Sequence, residues 1–215
     1  MIRADVIAIL LAAGESRRMG YPKPLLRIGD ATFIAHTAAI ILQAMPRMII
    51  VLGAHAARVR PAVPHDARIA VVENPDYRNG QLSSLKVGLR RAIADGAAAV
   101  MVHLADHPTV ALATYRELLA AHERRARPIV IARYNGRRGH PALFDAAVFA
   151  ELLAAPEDQG AKAVVNADPA RLAYVDVADP GVVLDLDTPA DLARAGLDPP
   201  PAALGIRYSS RDDVS

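Results

Sequence analysis

The chain contains no cysteine. That excludes a disulfide framework, a thiolate zinc site and a cysteine nucleophile. Tryptophan is also missing, and aromatic residues make up only 4%, which leaves little for the exposed ring stacks on which single-strand nucleic-acid binders depend. Opposite charges nearly cancel, to a formal net charge of +2, too weak a field to steer the whole molecule onto DNA or an anionic membrane. Any positive field must be local. No apolar run approaches the ~20 residues needed to cross a bilayer. The first residues lack the basic start, long apolar stretch and cleavage site of a signal peptide. A cytoplasmic protein without nucleic-acid or membrane partners is the expectation.

What is present is a chain of 215 residues, 53% hydrophobic, enough to bury a full core within one domain. Short apolar runs at Val6–Leu11, Met48–Leu52, Ile69–Val72, Val100–Leu104 and Ile129–Ala132 read as strands buried on both faces. Between them Thr32–Met45, Leu82–Ala94 and Leu112–Arg125 carry helical spacing, the second with Leu82, Leu85, Leu89 and Ile93 on one face and Lys86, Arg90 and Arg91 elsewhere. This alternation predicts a three-layer α/β fold, a mainly parallel, Rossmann-like sheet with helices on both faces. Asn135-Gly136 is a two-residue hairpin signal joining Ile129–Tyr134 to a segment around Pro141–Phe144. Helices are expected at Ala146–Ala154 and Gly160–Ala167, strands at Leu172–Val177 and Val182–Leu186, and a last helix opened by Thr188-Pro189, with threonine as N-cap and proline at the first helical position. The domain is read as residues 1–196. Residues 197–215, with three consecutive prolines and a polar end, read as a poorly ordered or docked tail.

The most informative segment leaves the first strand: Leu11-Ala12-Ala13-Gly14-Glu15-Ser16-Arg17-Arg18-Met19-Gly20-Tyr21-Pro22-Lys23. The carboxyl edge of a parallel strand is where α/β sheets hold ligands. Small residues at Ala12, Ala13 and Gly14 let backbone N–H groups approach phosphate oxygens. Lys23 offers a mobile point charge and Arg18 a forked donor. The spacing is neither the dinucleotide fingerprint nor the P-loop. The plain alternative is a solvated loop whose glycines merely turn the chain.

Two aspartates, Asp106 after Val100–Leu104 and Asp187 after Val182–Leu186, fall at predicted strand ends. Carboxylates placed so can hold a hard divalent cation such as magnesium. Asp185 is the rival for the second place, and both aspartates have bland readings as a turn former and a helix-end partner. His103 and His107 lack the spacing of a zinc motif, and a core or lining histidine is the better reading. His140 is equally a substrate contact or a hairpin-end histidine.

The glycine–arginine–lysine segment resembles the signature of the MobA-like nucleotidyltransferases, most of all the branch that contains molybdenum cofactor cytidylyltransferase. The resemblance runs on through Asn74-Pro75-Asp76-Tyr77, Gly80 and Ser84, through Leu104-Ala105-Asp106-His107-Pro108 and Gly139-His140-Pro141, to Asp185-Leu186-Asp187-Thr188-Pro189. It implies a nucleotidyltransferase that uses Mg²⁺, with Mn²⁺ as a substitute, to move a nucleoside monophosphate from CTP or another NTP onto a molybdopterin-type acceptor. A client molybdoenzyme is a possible further partner. Lys23 and Asp106 are then catalytic. Ala12, Ala13, Gly14, Ser16, Arg18, Lys23, Asn74, Gly80 and Ser84 bind the nucleotide or acceptor, and Asp106 with Asp187 holds the metal. Alanine at position 13 favours cytosine, since guanylyl-transferring relatives carry glycine there. The chain departs from the pattern at His107, where glutamine is usual. It departs again in Pro156–Lys162, a segment expected near the acceptor, where Glu157 and Lys162 replace glycine and arginine. The rivals are the same chemistry on a sugar phosphate or phospholactate, a non-catalytic carrier of the finished cofactor, and a nicotinamide oxidoreductase.

Overall fold

The computed structural model describes residues 5–124 and 127–201. In chain order the elements are β1 (Val6–Ala12), the short ribbon β2 (Arg27–Ile28) and β3 (Ala31–Thr32), α1 (Phe33–Ala44), β4 (Arg47–Leu52), α2 (Ala56–Val59), β5 (Ile69–Glu73), α3 (Gln81–Ala94), β6 (Ala99–Leu104) and α4 (Leu112–Glu123). Then come β7 (Ile129–Tyr134), β8 (Arg137–Asp145), α5 (Phe149–Ala154), α6 (Lys162–Ala167), β9 (Leu172–Asp176) and α7 (Pro189–Arg194). Seven strands form one sheet in the order β5-β4-β1-β6-β8-β7-β9. Only β8 runs against its neighbours; every other pairing in that sheet is parallel.

The apolar runs have this shape because each central strand feeds two cores. Ala8 and Leu10 of β1 pack with Ile34, Ile41, Tyr115 and Leu118 of α1 and α4. Ile7, Ile9 and Leu11 pack with Leu85 and Leu89 of α3 and Leu152 of α5 on the other face. All seven residues of β1 are buried, which no alternating strand could satisfy. The hairpin forms at Asn135-Gly136, both at positive φ (47° and 76°), as the primed turns of two-residue hairpins require. The N-cap at Thr188 forms as expected, and Thr32, expected within the helix, caps α1 instead. Thr32 Oγ1 accepts from the Ala35 N–H at 3.3 Å, and Thr188 with Asp191 makes a reciprocal capping box.

Two expectations are corrected. Val182–Leu186 is not a strand. Pro180–Val183 is a 3-10 turn, since Asp179 accepts from Gly181 N–H at 2.9 Å and binds Ala111 N–H at 2.8 Å and Thr114 Oγ1 at 2.7 Å. The Asp-Pro-Gly sequence starts a turn and outweighs the apolar residues behind it. The segment then crosses the carboxyl edge of the sheet as an irregular strap. On α3, Ile93 is 42% exposed whereas Lys86 is only 9% exposed. The buried face is centred on Leu85, Leu89 and Ala92, and Ile93 lies at its margin in the last turn. Of the expected tail, 202–215 lie outside the described residues; Leu197 N–H still donates to Leu192 O.

Candidate functional site

β1 and β6 pair in parallel, Leu11 opposite Leu104, so the residues that follow each strand emerge side by side. After β1 the chain makes the loop of Gly14 to Pro22. Ser16 takes a left-handed φ of 55°. Its Oγ accepts the Lys23 N–H at 3.0 Å, and its carbonyl accepts from Met19 and Gly20, both at 3.1 Å. The serine thus folds the loop back so that Lys23 starts a short 3-10 turn, Lys23–Leu25. Among the described residues no protein acceptor engages the backbone N–H groups of Gly14 to Arg18, which leaves them free to bind anionic oxygens.

Lys23 joins the site. Its Nζ donates to Asp106 Oδ2 at 2.7 Å and also to Asp187 Oδ1. Arg18 binds the other oxygen of Asp187. Burial alone would lower the Lys23 pKa, but Asp106 and Asp187 outweigh it and hold the ammonium above its ordinary value. Burial likewise pushes Asp106 up, and the adjacent Lys23 charge more than offsets this and keeps its carboxyl below the ordinary range. Asp187 reaches this place on the strap. Leu186 N–H donates to Asp106 O at 3.0 Å, His107 Nδ1 lies 3.3 Å from Gly181 O, and the Thr188–Asp191 box fixes the next turn.

These residues wall a cleft of about 580 Å³ lined by Ala12, Ala13, Gly14, Ser16, Arg18 and Lys23 together with Gly80, Ser84, Asp106 and Asp187. Asn74 does not reach it. Its Nδ2 donates to Ser83 and Ser84 hydroxyls at 2.8 and 2.9 Å, its Oδ1 accepts from Asp76 N–H at 3.0 Å, and the residue is 2% exposed. Its amide is spent tying the β5–α3 loop to the start of α3, which corrects the expectation of a lining residue. Arg17 turns to Glu15, Nε to carboxylate at 2.8 Å. Asp185 lines the same cleft but is exposed. Tyr77 and Gln81 also line it. Gly53 was not singled out from the sequence: a Cβ there would lie 2.7 Å from the Ala13 methyl. No pattern marks it, because the approach is between two parallel strand ends.

The donor set suits a hard divalent cation. Asp106 Oδ1 is buried and accepts no hydrogen bond, with His107 Nε2 3.9 Å away, and Asp187 shares Lys23 with Asp106. No group of three or more His, Asp or Glu side chains converges among the described residues. One or two carboxylates are enough to hold magnesium in phosphate chemistry, since substrate oxygens and water complete the shell. His103 is buried within β6 with Nε2 3.1 Å from His107 O, and burial pushes its pKa down to about 3. It is a core histidine.

Residues 8–173 match the MobA-like NTP transferase domain. The chain belongs to the MobA-like NTP transferases. It is 27% identical to molybdenum cofactor cytidylyltransferase of Escherichia coli (strain K12), across 87% of this chain and 93% of that protein. Among solved structures it resembles Rv0371c of Mycobacterium tuberculosis H37Rv, at 34% identity and a TM-score of 0.75, covering 89% of this chain and 97% of the other. It also resembles the manganese complex of Rv0371c, at 32% identity and a TM-score of 0.68, covering 88% and 96%. This transferase is thus a nucleotidyltransferase on a mainly parallel sheet. No helix among its described residues is long and apolar enough to cross a membrane.

Proposed function

We propose that this transferase moves CMP from CTP to the terminal phosphate of molybdenum cofactor and releases pyrophosphate. The observation that carries the reading is Lys23, which comes from the β1 loop and meets Asp106 and Asp187 from two other segments. The free N–H groups of Gly14 to Arg18 would cradle the triphosphate. Lys23 would shift to the phosphates and stabilise the charge that develops there. An acceptor phosphate oxygen attacks the α-phosphorus, the new P–O bond forms, and the α–β bridging P–O bond breaks with its electron pair leaving on pyrophosphate. A phosphate dianion carries no proton on the attacking oxygen, so no general base is required. The residues work by position and charge. Asp106 and Asp187 would hold magnesium or manganese, which supplies positive charge to the phosphates when bound.

Two similarities support the finer choices. The cytidylyltransferase of Escherichia coli matches over almost its whole length, and Ala13 lines the cleft where guanylyl-transferring relatives carry glycine, which leaves less room for a purine. One methyl group discriminates by only ~1–3 kcal/mol, so hydrogen bonds must supply the rest. Transfer to a sugar phosphate or phospholactate is the second reading. The test is Asp106→Asn together with chelation. Both should nearly abolish pyrophosphate release while the circular dichroism spectrum is kept, and full activity in either would refute the metal assignment.

A further inference from the structure

Whether the N–H groups of Gly14 to Arg18 face the cleft depends on how each peptide of that loop is turned. The turning comes from behind. Gly53-Ala54-His55 follows β4, with His55 at the N-cap of α2, and stands behind the cleft wall rather than in it. Ala54 N–H donates to Ala13 O at 3.1 Å. His55 Nε2 lies 2.9 Å from Glu15 O; a carbonyl oxygen only accepts, so this nitrogen is the donor. Two alternate carbonyls of the loop are thus gripped from outside. Gly53 permits the approach, since a Cβ there would lie 2.7 Å from the Ala13 carbonyl oxygen.

A trans peptide is planar, with its C=O and the following N–H on opposite sides. Holding Ala13 O against Ala54 therefore turns Gly14 N–H the other way, and holding Glu15 O against His55 does the same for Ser16 N–H. Gly14 and Ser16 both line the cleft. The second grip matters more. Ser16 sits at a φ of 55°, a conformation that is costly for a residue with a side chain and persists only where its surroundings impose it. Rotating the Glu15–Ser16 peptide changes ψ of Glu15 and φ of Ser16 together. Without the His55 bond, Ser16 can relax to negative φ with its N–H turned out of the cleft. The Ser16 hydroxyl and carbonyl are engaged elsewhere, by Lys23, Met19 and Gly20, and leave the Glu15 carbonyl to His55.

We propose that His55 is a positioning residue for the triphosphate, acting through the Glu15 carbonyl to aim the Ser16 N–H at a phosphate oxygen. It touches no substrate. The inference rests on the transfer reading above and adds to it a residue outside both the glycine loop and the acid pair. A side chain of the same bulk could fill the place of His55, but only an N–H at that point holds the oxygen.

The test uses the full chain without acceptor, so that nothing turns over. The probes are CTP, inorganic triphosphate and cytidine, the first two read by calorimetry and the last by ligand-observed NMR. His55→Phe keeps a ring and removes the donor. It should weaken CTP and triphosphate about tenfold or more, the scale of losing one charge-assisted hydrogen bond, and leave cytidine within about twofold. His55→Gln, whose amide can donate from nearly the same place, should keep CTP within about threefold of wild type. A merely structural role would weaken all three probes alike. If His55→Phe fails to fold, His55→Ala takes its place in the comparison. CTP affinity unchanged by loss of the donor, cytidine weakened as much as CTP, or a glutamine variant as weak as the phenylalanine one overturns the inference. Wild-type protein that binds CTP no more tightly than cytidine, and triphosphate not at all, would remove the transfer reading itself.

Discussion

Gly139→Ala is the substitution whose effect follows most directly from geometry. Gly139 lies in β8 where the strap crosses it, and a Cβ there would stand 1.8 Å from the Val182 carbonyl oxygen. Real Cβ contacts do not fall below 3.0 Å, so the backbone must separate by roughly 1.2 Å. Neither neighbour is a flexible side chain, and overpacking of this kind costs about 1–3 kcal/mol. The functional cost should be larger than the stability cost, because Asp187 rides on the same strap five residues later. A misplacement of ~1 Å at a catalytic group costs on the order of 10²-fold in rate. Pyrophosphate release under saturating NTP and metal should therefore fall about a hundredfold, with Tm lowered by only a few degrees in calorimetry. Turnover within twofold of wild type, in a variant of lowered Tm, would show that the strap's position at Val182 does not set that of Asp187.

Lys23→Ala should lower turnover by ~10²-fold or more, as removal of one transition-state charge donor does. Arg17→Ala, which loses only its pairing with Glu15, should stay within a few-fold; equal losses would mean that the loop acts by general charge. Asn74→Ala should destabilise the fold by ~1–3 kcal/mol, the cost of leaving the buried Ser83 and Ser84 hydroxyls with a partner missing, and denaturant melts that coincide with wild type would refute its bracing role. Acid should weaken the fold through His103 and His140. Their folded pKa values, about 3 and about 4, lie below the unfolded 6.5, so the unfolded chain binds more protons below pH 6.5 and stability falls as pH drops through that window. Each contributes about 2 kcal/mol of loss by pH 5. A double His103→Gln, His140→Gln variant should lose most of that slope between pH 6.5 and 5; an unchanged slope would refute it.

The sheet was legible in the sequence because strands buried on both faces must be apolar throughout, as Val6–Ala12 is. The hairpin was legible because only residues such as Asn135 and Gly136 tolerate its positive φ. The convergence of Lys23, Asp106 and Asp187 was foreshadowed by strand ends for the first two. Asp187 came to the right place for the wrong reason, since its supposed strand is a strap held by Asp179, His107 and the Thr188 cap. Local apolarity carried no sign of those long-range bonds. Asn74 was misjudged because a buried amide that braces a loop and one that faces a ligand look alike in sequence. The close approaches at Gly53 and Gly139 depend on which backbones cross, and a one-dimensional pattern does not record that.

We propose that the Lys23, Asp106 and Asp187 site transfers a cytidylyl group to molybdenum cofactor. The transfer is tested most directly by pyrophosphate release with each of the four NTPs and Mg²⁺, with and without purified molybdenum cofactor. The account predicts release with CTP, well above GTP, that requires the acceptor and yields a cytosine-containing product. Release that ignores the acceptor, or a product containing mainly guanine, would contradict it.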